Sequence, residues 1–128
     1  MDAPAAIAGY WAALERNDLG QAASFLHDAF TEDWPQSGER IVGVENWLAM
    51  VTSHPTFPAV SRVSHEGRED LWVSRAHYDY PTEEGEPAPY EVCAIQWVRD
   101  GKILRIVEYF GAPFEPAAWR ADTIERIT

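Results

Sequence analysis

The feature that most constrains the fold is a hairpin signal near the C-terminal end of the chain. Two runs rich in aromatic and β-branched residues, 90–99 and 102–111, flank Asp100-Gly101. Asp-Gly between such runs is among the strongest local signals for a two-residue turn. If Arg99 pairs with Lys102, the alternation of strand side chains fixes which residues face each other. The predicted facing pairs are Trp97 with Leu104, Ile95 with Ile106, Cys93 with Glu108, and Glu91 with Phe110.

Both faces of the predicted hairpin are largely apolar. The face with Trp97 and Glu108 changes from apolar near the turn to acidic at its far end. A sheet that is apolar on both sides needs cover on both sides, which predicts helices on one face and a second copy of the chain on the other. The residues expected on the outer, homodimer face are Val92, Ala94, Val98, Ile103, Val107 and Tyr109.

Helical and strand patterns occupy different parts of the chain. Apolar residues at three- and four-residue spacing predict three helices, the first capped by Asp2 and ending near Asn17, the others over 18–26 and 43–53. The strands predicted before the hairpin cover 30–34, 60–66 and 69–80. Helices followed by antiparallel strands are typical of an α+β fold with the helices on one face of the sheet. One domain is expected over residues 1–128.

Composition limits the classes of partner. The 21 acidic residues exceed the 10 basic ones, for a formal net charge of −11, so neither nucleic acid nor a membrane is an expected partner. Cys93 is the only cysteine, which excludes an internal disulfide, and without a signal-peptide pattern the expected location is cytoplasmic. The histidines lack the paired spacing of a metal site. No metal and no cofactor are therefore predicted.

Glu108 is the strongest single candidate for a functional residue. It stands between Ile106 and Phe110 on a face that must be mostly buried. An acid in such a place is usually either functional or paired with an arginine, and both interpretations stay open. If Glu108 is functional, the loss of hydration raises its pKa and suits it to exchange protons near neutral pH.

The strand over 70–80 has two faces that predict different sites. If one face lines the cavity, Arg75 and His77 join Glu108, and a carboxylate and an imidazole can act there as acid and base. If the other face lines it, Tyr78 and Tyr80 take their place. The sequence leaves both alternatives open.

Three stretches carry a resemblance to a known family. They are residues 10–19 (YWAALERNDL), residues 25–35 with Phe25-Leu26 and the run from Phe30 to Pro35, and residues 101–111 (GKILRIVEYFG). In these stretches the chain resembles the NTF2-like superfamily, and within it the SnoaL-like polyketide cyclases and the ketosteroid isomerases. The resemblance implies a curved antiparallel sheet of four to six strands. Three N-terminal helices wrap this sheet around a conical apolar pocket, and dimers commonly form through the outer sheet face.

The resemblance also implies roles for individual residues. Ketosteroid isomerases use a first-helix tyrosine as an oxyanion donor, which Tyr10 matches. Their general base precedes a proline, where Trp34 stands here, and their second oxyanion donor matches Cys93. The resemblance therefore does not favour ketosteroid isomerase activity itself. SnoaL-like cyclases place an acid on the last strand, as Glu108 is placed, and epoxide hydrolases combine carboxylates with an arginine, for which Arg75 is available.

We therefore expect a small-molecule enzyme that performs cofactor-independent proton transfer, of the isomerase, cyclase or lyase type, on an apolar substrate with a carbonyl group. A hydrolase is the second enzymatic possibility. The alternative is a non-catalytic protein that binds a small apolar ligand, or a dimerisation module. The predicted catalytic residues are Glu108, His77 and Tyr10. The predicted substrate-binding residues are Trp34, Trp47, Arg75, Cys93, Trp97 and Phe110.

Overall fold

The computed structural model describes residues 2–127. Its helices are α1 (Ala3–Glu15), α2 (Leu19–Ala23) and α3 (Val44–Ser53). Its strands are β1 (Leu26–Trp34), β2 (Glu39–Val42), β3 (Ala59–Arg68), β4 (Leu71–Tyr80), β5 (Ala88–Arg99) and β6 (Lys102–Gly111), and a 3₁₀ helix covers Ala118–Thr123. The strands form one curved sheet in the order β2-β1-β6-β5-β4-β3, in which only the β1–β6 pair is parallel among the residues described. The expected α+β fold is confirmed.

The predicted helices are present, with one clear change of length. Asp2 caps α1 as expected, because its side chain accepts a 2.9 Å hydrogen bond from the Ala5 N–H. Helix α2 ends earlier than predicted because the following residues join the sheet: Ile103 N–H donates to the Phe25 carbonyl, and Leu26 pairs with Ile103. Within residues 2–127, no helix has the length and apolarity needed to cross a membrane.

Strand β2 was not predicted. The segment around Gln36 and Gly38 is polar and turn-like, and it does form the turn after Trp34. The four residues that follow pair with β1 at the edge of the sheet, and only Ile41 among them is buried. An edge strand this short shows too little alternation to be recognised from its sequence.

The hairpin forms where it was predicted, but the predicted register is wrong beyond the pairs next to the turn. Asp100 and Gly101 both have positive φ, as a type I′ turn requires, and Arg99 pairs with Lys102. Val98 then pairs with Ile103 and Trp97 with Arg105, so that Leu104 is an extra residue on β6. Such a bulge reverses the alternation of one strand against the other. The observed partners of Glu108 and Phe110 are therefore Ala94 and Val92, not Cys93 and Glu91.

The bulge also corrects the residues assigned to the outer face. Four of the six residues expected on that face are buried in the core between helices and sheet: Val92, Ala94, Val98 and Ile103. The alternation leaves Val107 and Tyr109 on the outer side, together with Cys93, Ile95 and Trp97 of β5. The homodimer remains a proposal, with different contact residues.

A buried polar chain connects α1 to the middle of the sheet. The indole Nε1–H of Trp11 donates a 2.7 Å hydrogen bond to Gln96 Oε1, and Gln96 Nε2 donates at 2.8 Å to Ser74 Oγ. Gln96 and Ser74 have no exposed surface. Since water cannot replace these bonds, the chain fixes how α1 sits on the sheet.

Gln96→Leu is expected to lower the free energy of unfolding by about 1–3 kcal/mol, because the Trp11 indole N–H is left buried without an acceptor. Chemical denaturation followed by circular dichroism measures the change. The matched control is Gln21→Leu at an exposed position of α2, which should change stability by less than about 0.5 kcal/mol. Equal effects in both variants would contradict a structural role for the Trp11–Gln96 bond.

Candidate active site

A cavity of about 490 Å³ lies between the helices and the inner face of the sheet. This volume is typical of small-molecule sites, which span roughly 300–1,000 Å³. Its walls are mainly aromatic and aliphatic, and no lysine or arginine of residues 2–127 contributes to them. The lining residues on which the chemistry depends are Tyr10, Glu32, Trp34, Trp47, His54, Tyr78, Tyr80, Glu108 and Phe110.

Glu32 is an acid buried in the cavity wall. It lies on β1 with only 3% of its surface exposed. Its Oε2 accepts a 2.7 Å hydrogen bond from Trp34 Nε1, whereas its Oε1 is buried without a hydrogen-bond partner in the described part of the chain. Burial raises the pKa of Glu32 to about 7, against the opposing effects of the Trp34 and Trp47 indole groups. Glu32 therefore exists in both protonation states near neutral pH.

Glu108 is a second buried acid in the same cavity. It is 9% exposed, and its Oε1 accepts a 3.2 Å hydrogen bond from the Tyr78 hydroxyl. Burial, and next the negative charge of Glu32, raise the pKa of Glu108 well above its usual range, and the bond from Tyr78 opposes them. Glu108 therefore holds its proton to a higher pH than an exposed carboxyl group does.

Strand pairing explains why the two acids interact. Glu32 pairs with Ile106 across the parallel β1–β6 contact. Glu108 is the next residue of β6 on the same face, about 7 Å further along the strand. The negative charge of Glu32 raises the pKa of Glu108, so the two carboxyl groups share protons as a pair, because ionising both brings two like charges together in an apolar site.

Two tyrosines complete the polar part of the site. Burial, together with the negative charges of Glu32 and Glu108, raises the pKa of Tyr10 and of Tyr78 well above the usual value. Both hydroxyls therefore stay protonated; that of Tyr78 donates to Glu108, and that of Tyr10 can donate a hydrogen bond to a ligand oxygen. Tyr80 lies nearer the opening, and burial raises its pKa to about 12.

His54 follows α3 in the wall of the cavity and has a defined orientation. Its ring stacks on Tyr80 with centroids 5.8 Å apart, and its Nδ1 accepts a 3.0 Å hydrogen bond from the Thr56 N–H. In the neutral ring the proton is therefore on Nε2. His54 was not among the predicted site residues.

Comparison with known families identifies the group of proteins to which this architecture belongs. The family described as "SnoaL-like domain" matches residues 7–106, which include most of α1, all of β1–β5 and the carboxylate Glu32. The chain belongs to the SnoaL-like family. Comparison with curated protein sequences gives no match.

Solved structures agree with this assignment to the SnoaL-like family. An NTF2-like protein of unknown function from Burkholderia xenovorans is 30% identical with a TM-score of 0.84, over 98% of this chain and 94% of that one. A candidate ketosteroid isomerase from Kribbella flavida is 18% identical, with a TM-score of 0.83 over 97% and 88% of the two chains. A candidate polyketide cyclase from Pseudomonas putida is 20% identical, with a TM-score of 0.73 over 87% and 92%. At such low identities the last two show the shared fold.

The structure separates the predicted site residues into two groups. Those that line the cavity of this SnoaL-like chain are Tyr10, Trp34, Trp47, Glu108 and Phe110. Those that do not line it are His77, Arg75, Cys93 and Trp97. The bulge at Leu104 turns the side of β5 that carries Cys93 and Trp97 outward, and the face of β4 that points inward is the one with Tyr78 and Tyr80.

Three of the predicted residues that do not line the cavity have partners outside it. Each ring nitrogen of His77 lies 3.0 Å from a carboxylate oxygen, of Glu91 and Asp79 respectively. Arg75 lies 3.6 Å from Glu66. The guanidinium of Arg105 stacks 4.8 Å from the centre of the Trp97 ring. None of these contacts reaches the carboxyl pair, so the predicted combination of Glu108 with His77 or Arg75 is wrong.

Glu32 is the functional candidate that the sequence interpretation missed. A signal was present, because Glu32 stands between Phe30 and Trp34 in the same apolar–acid–apolar alternation that drew attention to Glu108. The neighbouring Asp33 points to the outer face, where Arg40 at 2.6 Å and Arg105 at 3.4 Å hold it. On β1 the inward-facing acid is Glu32.

The raised pKa of Glu32 predicts that stability falls as pH rises. Its pKa is about 7 in the folded chain and 4.5 as the reference for the unfolded chain, so the folded state binds more protons between these values. The free energy of unfolding should thus decrease by about 3 kcal/mol across this window because of Glu32 alone.

Urea denaturation at pH 5 and pH 8 tests this linkage. In Glu32→Gln the loss of stability between the two pH values should be smaller than in the wild type by about 3 kcal/mol. Glu83→Gln, in the exposed loop before β5, serves as the control and should behave as the wild type. A Glu32→Gln protein with the wild-type pH dependence would show that Glu32 titrates normally.

Proposed function

We propose that this SnoaL-like chain is a small-molecule enzyme that moves a proton at a carbon next to a carbonyl group, without a cofactor, on an apolar and uncharged substrate. The reaction is of the isomerase, cyclase or lyase type. The observation that carries the proposal is the pair of buried acids, Glu32 and Glu108, in an aromatic cavity without a cationic side chain among the described residues. Such a pair is costly for stability, and perturbed carboxyl groups in a cavity are a mark of acid–base sites.

The two acids have different roles in the proposed step. The Glu32 carboxylate has an oxygen, Oε1, that no described group of the chain occupies, and this oxygen accepts the proton from the substrate carbon. The electron pair of the broken C–H bond moves onto the carbonyl oxygen. Return of the proton from Glu32 to another carbon gives an isomer, whereas attack of the enolate on a second carbonyl gives a ring.

The negative charge that develops on the substrate oxygen needs hydrogen-bond donors. We assign this role to Glu108 and Tyr10. Tyr78 occupies Oε1 of Glu108, so a proton on Glu108 is carried by Oε2 and is available to the substrate oxygen. Tyr10 is a second neutral donor in the same wall. Donors placed where charge develops in a site with little water are the usual source of rate acceleration in enolate chemistry.

The lining of the cavity supports this reaction class over epoxide hydrolysis. The comparisons do not separate the two, because structures with the same fold include the candidate isomerase and the candidate cyclase described above and also an LEH-like epoxide hydrolase from M. tuberculosis. Epoxide hydrolysis in the pattern expected from the sequence requires an arginine beside the acids, and Arg75 lies outside the cavity. A protein that only binds an apolar ligand has no evident need for two destabilising acids.

The reason for expecting no ketosteroid isomerase activity has changed. That expectation rested on Trp34 and Cys93 at positions where carboxyl groups were wanted, yet Glu32 and Glu108 supply a carboxyl pair from other positions. Low steroid isomerase activity remains a prediction, which now rests on Trp34 and Phe110 packed 6.2 Å apart within the cavity.

A model reaction that does not require the natural substrate tests the proposed chemistry. 5-Nitrobenzisoxazole is a neutral aromatic compound that opens when a base removes its C–H proton, and charge then develops on an oxygen that becomes a coloured phenolate. We expect saturable, catalytic opening by the wild type, at a rate well above that of the double variant Glu32→Gln/Glu108→Leu. Equal rates for the two proteins would favour the binding-protein alternative.

A further inference from the structure

The C-terminal tail exposes large apolar side chains that the chain itself does not cover. Residues 112–127 follow β6, and within them Phe114 keeps 81% and Trp119 84% of its surface exposed. Ile124 and Ile127 are exposed as well. Single exposed apolar residues are common, but two aromatic residues in one short segment are typical of a segment that binds another surface.

A groove on the outer side of the sheet offers such a surface. It has a volume of about 490 Å³ and lies across the middle of β4, the first half of β5 and the end of β6, next to Gly111. Arg75, Cys93 and Tyr109 pair with one another across these three strands and point into it. Tyr109 is 43% exposed, so the floor of the groove is apolar and accessible while Arg75 provides charge at its side.

We propose that the tail of one copy of the chain docks into the outer groove of a second copy, with Trp119 as its anchor. The exchange is reciprocal, so each copy gives one tail and receives one, and the assembly closes as a two-fold dimer. The expected homodimer through the outer sheet face thereby gains a specific contact. The inference concerns assembly and is independent of the chemistry in the cavity.

Charge and size favour this occupant. Trp119 is followed by Arg120 and Asp122, and the groove contains Glu91 and Arg75, so these two charges of the tail have opposite charges available, in addition to the contacts that Glu91 makes with His77 and Arg75 with Glu66. An aromatic residue buries about 150–250 Å², so the aromatic pair of each tail adds roughly 300–500 Å². This is a substantial part of the roughly 800 Å² that each partner buries in a stable interface.

The length of the tail favours docking on a second copy over docking on the same chain. The groove begins at Gly111, where the tail itself starts, so Trp119 would have to fold back within eight residues to enter the groove of its own chain. In the single chain Trp119 does not enter the groove, since its indole remains exposed. The eight residues from Gly111 to Trp119 extend up to about 28 Å, which is enough to cross to a facing sheet packed about 10 Å away.

The single native cysteine makes a direct test possible, because Cys93 lines the groove. Ala118→Cys places a second thiol beside Trp119 and keeps the proposed anchor. Under mild oxidation we expect a disulfide between Cys93 of one copy and position 118 of another, seen as a covalent dimer on a non-reducing gel and confirmed by peptide mass. The control Cys93→Ser/Ala118→Cys should lack this linkage. A disulfide within one chain, or none involving Cys93, would overturn the proposal.

A second variant tests the anchor without cross-linking. Trp119→Asp is expected to weaken the dimer at least tenfold in sedimentation velocity, while circular dichroism and the thermal midpoint of the monomeric fold stay unchanged, because this side chain is exposed. Glu125→Gln, also in the tail, is the control and should leave the dimer intact. A wild type that is monomeric at micromolar concentration, or a dimer that Trp119→Asp does not weaken, would equally contradict the proposal.

Discussion

Glu32→Gln is expected to lower kcat/KM for 5-nitrobenzisoxazole by about 10²- to 10⁴-fold, the usual cost of losing a positioned general base. The amide has the shape of the acid and still accepts the hydrogen bond from Trp34 Nε1. It cannot take a proton from carbon at neutral pH. Because Glu32 is 3% exposed, water does not readily replace it as the base.

Two controls separate this effect from damage to the fold. Glu32→Gln should be at least as stable as the wild type at pH 8, since a buried charge is removed. Asp33→Asn changes the adjacent acid, which faces outward toward Arg40, and should keep the activity within about tenfold. If Asp33→Asn lost activity and Glu32→Gln kept it, the assignment of the base would be wrong.

Glu108→Leu is expected to lower the same kcat/KM by about 10²- to 10³-fold, the usual cost of removing one donor to an oxyanion. The proposed role of Glu108 is to donate a hydrogen bond while protonated, and an amide N–H also donates. Glu108→Gln should therefore retain activity within about tenfold of the wild type.

The comparison of these two variants distinguishes a donor from a base. Both remove the titration of Glu108, but only Leu removes the donor and the acceptor for Tyr78. Tyr78→Phe, which deletes the hydroxyl that holds Glu108, is expected to have an intermediate effect. Glu108→Gln as inactive as Glu108→Leu would indicate that Glu108 itself carries the proton.

The fold was largely predictable because its signals are local. The Asp100-Gly101 turn, the Asp2 cap and the period of the apolar residues each reflect contacts within a few residues. The register of the last hairpin was not predictable, because the extra residue at Leu104 has no distinct sequence signal. This single bulge determines which face of β5 points into the cavity.

The candidate site was predictable only in part, for the same reason. Tyr10, Trp47 and Glu108 lie on elements whose inward face does not depend on the register of β5. Cys93, Trp97 and the combination with His77 depended on that register and were wrong as cavity residues. The β1–β6 pairing, which brings Glu32 beside Glu108, joins segments distant in sequence, and nothing local to either segment specifies it.

The most direct test of the central claim is the pH dependence of kcat/KM for 5-nitrobenzisoxazole. If Glu32, with its pKa of about 7, is the base and Glu108 remains protonated, kcat/KM should rise about tenfold per pH unit at low pH and level off above neutrality, with the apparent pKa values belonging to the pair. Glu32→Gln should lose this rise. A wild-type profile that is already level from pH 5 to pH 8 would indicate a base with the usual pKa of 4.5 and would contradict the account of the buried pair.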